Sequence, residues 1–154
     1  MILSTHHTSF TVKDLARSVA FYRDVLGGEM VMEKELLPKD AGQITGIPGA
    51  HLKIAMLRIG GHIIELIQYL APAGKPMDSR TCDTGSAHVC WRVRDMAEAV
   101  AHLERHGVKC KGQPLLIETG INKGGSGVYF TDPDGITLEF LHLPLDRRLS
   151  RSLD

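Results

Sequence analysis

Polar and apolar residues alternate from about Thr5 to Val12, with His7, Ser9 and Thr11 on one face and Phe10 and Val12 on the other, which predicts a strand. Asp14 then caps a helix in which Leu15, Val19, Tyr22 and Leu26 recur at helical spacing, and Gly27 or Gly28 ends it. Strand character resumes from Glu29 to Leu37, and the glycines and prolines of PKDAGQITGIPGAH predict a loop. LKIAMLRIGGHIIELIQYL reads as a hairpin turning at Gly60-Gly61, with Ile63, Glu65 and Ile67 sharing a face of its second strand.

The pattern restarts after the Pro- and Gly-rich interval from Ala71 to Thr84. His88, Cys90 and Arg92 alternate with Val89, Trp91 and Val93; Asp95 with Glu98 forms a capping box; Met96, Val100 and Leu103 mark a helix stripe that stops at Gly107. A short strand from about Val108, a loop carrying Gly120, Gly124, Gly125 and Gly127, the VYF strand and a DPDG turn into ITLEFLHL complete it.

His7, Val12 and Asp14 recur as His88, Val93 and Asp95, each pair 81 positions apart, and Glu65 recurs as Glu139 in the last strand of its own copy. The chain therefore predicts an α+β fold of two tandem βαβββ modules. Their boundaries are 1–70 and 85–143, joined by a loop at 71–84 and followed by a charged tail at 144–154, the whole forming one domain. Paired about a pseudo-twofold axis, the modules would form a curved mixed sheet, one face covered by helices and the other concave.

Composition narrows the class. The 154 residues suffice for a core without staples, and 43% hydrophobic with 23% charged residues are ordinary for a globular protein. Lys plus Arg balances Asp plus Glu at 18 each, so no net field points to nucleic acid or to an anionic membrane. The start of the chain shows no secretory pattern and no run reaches the length of a membrane span, which predicts a cytoplasmic protein. Cys82, Cys90 and Cys110 are odd in number and lack CxxC spacing, as expected of reduced thiols.

The concave face would gather His7, Glu65, His88 and Glu139. Two imidazoles and two carboxylates suit a borderline divalent cation, zinc, nickel, cobalt, manganese or ferrous iron, with open positions for water or substrate. His6 is the weaker claimant beside His7, because His7 alone shares the 81-residue offset. His51, His62, His102, His106 and His142 lack a partner in the other copy.

The motifs HTSFTVKDLARSVAFYRDVLG, IIELIQY, AHVCWRVRDMAEAVAHLERHGV and YFTDPDGITLEF resemble the vicinal oxygen chelate superfamily of glyoxalases, methylmalonyl-CoA epimerases, extradiol dioxygenases and fosfomycin and bleomycin resistance proteins. The resemblance runs to about Leu143. His7, His88 and Glu139 alone resemble the triad of the dioxygenases; adding Glu65 makes the set look like the bacterial glyoxalase pattern and, with Glu where Gln is frequent, the epimerase pattern.

That resemblance implies Lewis-acid chemistry: proton abstraction next to a carbonyl through a metal-stabilised enolate, with Glu139 or Glu65 as the base. An epimerase or isomerase leads, since AHVCWRVRDMAEAV resembles the epimerases most closely and no glutathione-binding arginine pattern stands near the start. The alternatives are a glyoxalase-like lyase acting on a hemithioacetal, an extradiol-type dioxygenase, and an antibiotic-binding resistance protein. Glu33 and Glu35 are substitute bases. NKGGSG resembles a flexible Gly-rich segment beside the glyoxalase active site, so Lys123 there and Arg92 are candidate partners of an anionic substrate, with Ser9 a third contact. A small-molecule substrate and a homodimer are expected, with the modules pairing within a chain or across two.

Overall fold

The side chain of Asp14 accepts a hydrogen bond from the N–H of Arg17 at 3.0 Å, and that of Asp95 accepts from Glu98 at 2.8 Å. Each satisfies a backbone donor that a first helical turn leaves without a partner. Both helices thus begin at the expected caps. The computed structural model describes residues 1–78 and 80–144, in two compact units, Met1–Asp78 and Ser79–Asp154; the expected tail lies outside the described residues from Leu145 onward.

The first unit runs β1 (Thr8–Thr11), α1 (Leu15–Asp24), β2 (Glu29–Leu36), α2 (Pro38–Thr45), β3 (His51–Ile59) and β4 (His62–Ala71), in a sheet of order β1-β4-β3-β2. β1 joins β4 in parallel and the other pairs are antiparallel. The second unit runs β5 (Val89–Val93), α3 (Met96–Arg105), β6 (Leu115–Leu116), β7 (Ser126–Thr131) and β8 (Thr137–His142), ordered β5-β8-β7-β6 with the same parallel first pair. The fold is α+β with one four-stranded mixed sheet per module. No helix among the described residues is long and apolar enough to cross a membrane.

α1 buries Leu15, Ser18, Phe21 and Tyr22, while Val19 and Leu26 of the expected stripe are half-buried. The buried face is therefore centred nearer Ser18 than the apolar spacing suggests, a small residue allowing close approach. Both glycines after the helix are used: Gly27 takes φ +69, and a Cβ on Gly28 would stand 2.7 Å from the Tyr22 carbonyl oxygen. In the second unit Leu103, Phe130 and Leu138 are fully buried, and the Phe130 and Phe140 rings pack with centroids 4.6 Å apart.

Three expectations change. The loop predicted after β2 contains α2: Pro38 occupies the first helical turn, where its missing N–H costs nothing, and Gly46 closes the helix at φ +70 with its N–H on the Gly42 carbonyl. Ala41 is the one buried residue of α2 and packs with Ala50, Leu52 and Ile54, so no apolar stripe announces the helix. The strand expected from Val108 does not form; Cys110 makes an isolated bridge to Phe130, and the outer neighbour of β7 is β6, which comes later in the chain than Val108. The NKGGSG segment is the hydrogen-bonded end of the β6–β7 hairpin, with Ile117 N–H on Gly125 O and Gly124 N–H on Ile117 O, both 2.8 Å; Gly127 itself lies within β7.

Candidate metal centre

Within the first unit, His7 sits one residue before β1, and Ser9 lies in register with Glu65 of β4, which in turn faces Met56 of β3. Alternate residues share a face of a sheet, so His7, Ser9, Met56 and Glu65 point to one side. His7 Nε2 stands 3.4 Å from Glu65 Oε2. Ile54, Ile67 and Tyr69 occupy the same face, and Ala41 of α2 packs there. The helix missed in the sequence thus covers one end of the Glu65 face, and Glu65 is only 9% exposed.

The second unit repeats the geometry. His88 sits one residue before β5, Cys90 lies in register with Glu139 of β8, and Glu139 faces Tyr129 of β7. His88 Nε2 stands 3.0 Å from Glu139 Oε2, and the His88 and Tyr129 ring centroids are 5.0 Å apart. Burial by its neighbours, then the charge of Glu139 and a hydrogen bond with it, push the Cys90 thiol up to about 12. Burial and the same carboxylate also raise the Tyr129 phenol above its ordinary value.

In each pair the imidazole and carboxylate are in direct contact, His88 and Glu139 by a hydrogen bond, at a separation that two ligands of one divalent ion also have. Ligand atoms at about 2.0–2.2 Å from one metal stand about 3.0–3.4 Å apart when the angle between them lies between octahedral and tetrahedral values. The Nε2–Oε2 separations of 3.0 and 3.4 Å fall in that range. Each unit brings together its own His and Glu, and among the described residues no group of three or more His, Cys, Asp or Glu side chains is gathered around one point.

Other candidates divide. Arg92 shares the face of His88 and Glu139 and is exposed, and Lys123 is exposed near the tip of the β6–β7 hairpin. Ser9 is exposed directly beside Glu65. Glu33 and Glu35 are corrected: they pair with Ala55 and Lys53, on the face opposite Glu65, and Glu35 is engaged by His51 at 2.5 Å. A bulge between Met30 and Met32 sets this register, and it places Met32 and Lys34 on the Glu65 face instead. Tyr129 and Met56 went unnoticed in the sequence. Cys90, read there only as a reduced thiol, had a signal: Ser9 and Cys90 are themselves 81 positions apart.

A model of the Glyoxalase/Bleomycin resistance protein/Dioxygenase superfamily matches residues 4–140. The chain belongs to that superfamily. Within it, the chain is 34% identical over 149 residues to 2-epi-5-epi-valiolone epimerase from an Actinomyces species, covering 92% of this chain and 80% of the relative. A glyoxalase family protein from Bacillus cereus superposes with a TM-score of 0.79 at 22% identity, covering 93% of this chain and 95% of that one. The genomically encoded fosfomycin resistance protein of Listeria monocytogenes, solved with Mn(II) and sulfate, superposes at 0.65 with 21% identity, covering 97% and 99%. Those two structures show the superfamily's fold.

Proposed function

We propose that the protein is a divalent-metal-dependent epimerase or isomerase that moves a proton at a carbon next to a carbonyl in a small oxygenated substrate. The observation that carries this reading is the repeated His–Glu pair, each with Nε2 and Oε2 at the separation of neighbouring metal ligands. The 34% identical relative, an epimerase whose name gives its substrate as a ketone, supports the reaction type.

On this reading His7, Glu65, His88 and Glu139 hold one ion per chain, the set being completed within a chain or between two copies in a homodimer. When bound, the ion supplies Lewis-acid polarisation of a substrate oxygen. Glu139 takes the proton, because its side chain is 19% exposed against 12% for Glu65 and is the more accessible to a substrate, and Glu65, in its protonated form, gives one to the opposite face of the same carbon, as inversion there requires. His7 and His88 complete the ligand set beside the two carboxylates. Arg92, Lys123 and Ser9 are the contacts for an anionic or hydroxylated part of the substrate.

Exchange of an α-proton into deuterated water, followed by NMR across 2-substituted carbonyl acids, thioesters and cyclic hydroxyketones with added metals, tests the reaction. Metal-dependent exchange is expected, slowed on the order of 100-fold or more in Glu139→Gln. No exchange with any metal and any of these substrates would overturn it. Elemental analysis gives the stoichiometry and light scattering the dimer; more than one ion per chain, or monomer alone, removes the corresponding statement.

A further inference from the structure

Gly127 is a glycine without a backbone reason. It lies inside β7 and does not have the positive φ that the turn glycines of this chain adopt. A glycine within a strand marks a place where something must come close. Here a Cβ at residue 127 would stand 3.3 Å from Glu139 Oε1 and 3.8 Å from Leu141 Cδ1, so what comes close is the carboxylate.

The register explains the approach. Glu139 lies between Cys90 on one neighbouring strand and Tyr129 on the other, and Gly127 is the next residue along β7 on the same face. With side chains on both flanks, the bare backbone at Gly127 leaves room for Oε1, while Oε2 stays 3.0 Å from His88 Nε2. In the first unit the matching position is Ile54, buried at 5%, so Glu65 has a side chain where Glu139 has space.

We propose that Gly127 is a positioning residue: by leaving out a side chain it lets the Glu139 carboxylate lie across the strand with one oxygen over β7 and the other presented beside His88. The inference rests on Glu139 being a ligand of a divalent ion, as in the function proposed above. An added methyl would stand closer to Oε1 than most Cβ contacts allow, and the carboxylate, being the flexible partner, gives by a few tenths of an ångström. That movement shifts Oε2 from its 3.0 Å setting beside His88.

The test measures Mn²⁺ affinity by calorimetry for the full-length protein, Gly127→Ala, Glu139→Asp and the double variant, with Gly112→Ala as control. A Cβ on Gly112 would meet nothing within 4 Å, and its φ is not positive. Gly127→Ala is expected to weaken Mn²⁺ about 10-fold, the scale for groups that orient ligands. Gly112→Ala should change it less than about 2-fold, and so should Gly127→Ala added to the shortened side chain of Glu139→Asp. Unchanged affinity in Gly127→Ala, or the same loss in both backgrounds, would overturn the proposal, the second because it signals a general disturbance of the sheet. Where a substrate is turned over, kcat falls in Gly127→Ala with KM held. Failure of every protein to exchange protons would refute the proposed reaction while leaving the affinity comparison to decide the role of Gly127.

Discussion

Asp132→Ala tests how the Glu139 strand is held in register. Asp132 is 5% exposed, and its Oδ1 accepts from the N–H groups of Asp134 and Ile136, both at 2.8 Å. Its own N–H donates to the Ile136 carbonyl at 3.0 Å, and Gly135, at φ +86, donates to the Asp132 carbonyl. The side chain thus clamps the turn joining β7 to β8, and that turn sets the pairing of Tyr129 with Glu139. Hydrogen bonds to a charged acceptor are worth about 1.5–3 kcal/mol each, and two on one oxygen at the low end give about 3 kcal/mol. At a urea slope of about 2 kcal/mol per M the second unit should unfold about 1.5 M earlier. Asp132→Asn keeps an acceptor oxygen without the charge and should lose about half as much. Equilibrium unfolding followed by Trp91 fluorescence reads the second unit, which contains the chain's single tryptophan. A loss below about 0.5 kcal/mol in Asp132→Ala would refute the clamp, since so small a change is typical of a surface position.

Gly28→Ala should destabilise the first unit by about 2 kcal/mol through the contact with the Tyr22 carbonyl, measured by urea unfolding; a neutral result would mean the chain after α1 relaxes freely. Asp14→Ala and Asp95→Ala should each cost about 1 kcal/mol by loss of a cap, read in the same way, and no loss in either would show that the cap bond contributes nothing net. A divalent ion at about 100 times its Kd should stabilise the protein by about 2.7 kcal/mol in thermal unfolding. That gain should vanish in His88→Ala, and its persistence there would remove His88 from the ligand set.

The hydrophobic periods, the two aspartate caps and the 81-residue repeat were enough to determine two βαβββ modules and to single out one His and one Glu in each, whereas the contact of each His with the Glu of its own unit came from the structure. These features depend on local spacing: a strand alternates its faces and a cap acts within one turn, so short stretches carry the information. Superfamily membership was legible for the same reason, because the motifs are contiguous. Other features depend on which strand lies beside which. α2 has one buried residue and no stripe, so its packing near Glu65 becomes visible only in the folded unit. A bulge in β2 turns Glu33 and Glu35 away from the Glu65 face, a one-residue change that spacing does not reveal. Cys90, Gly127 and Tyr129 are far apart in the chain, and they become the surroundings of Glu139 because β5 and β7 flank β8 in one particular register. The sequence by itself determined most of the elements and the strands that carry Glu65 and Glu139, while tertiary structure alone decided α2 and what surrounds each carboxylate, because strand order and register are set by packing between distant segments.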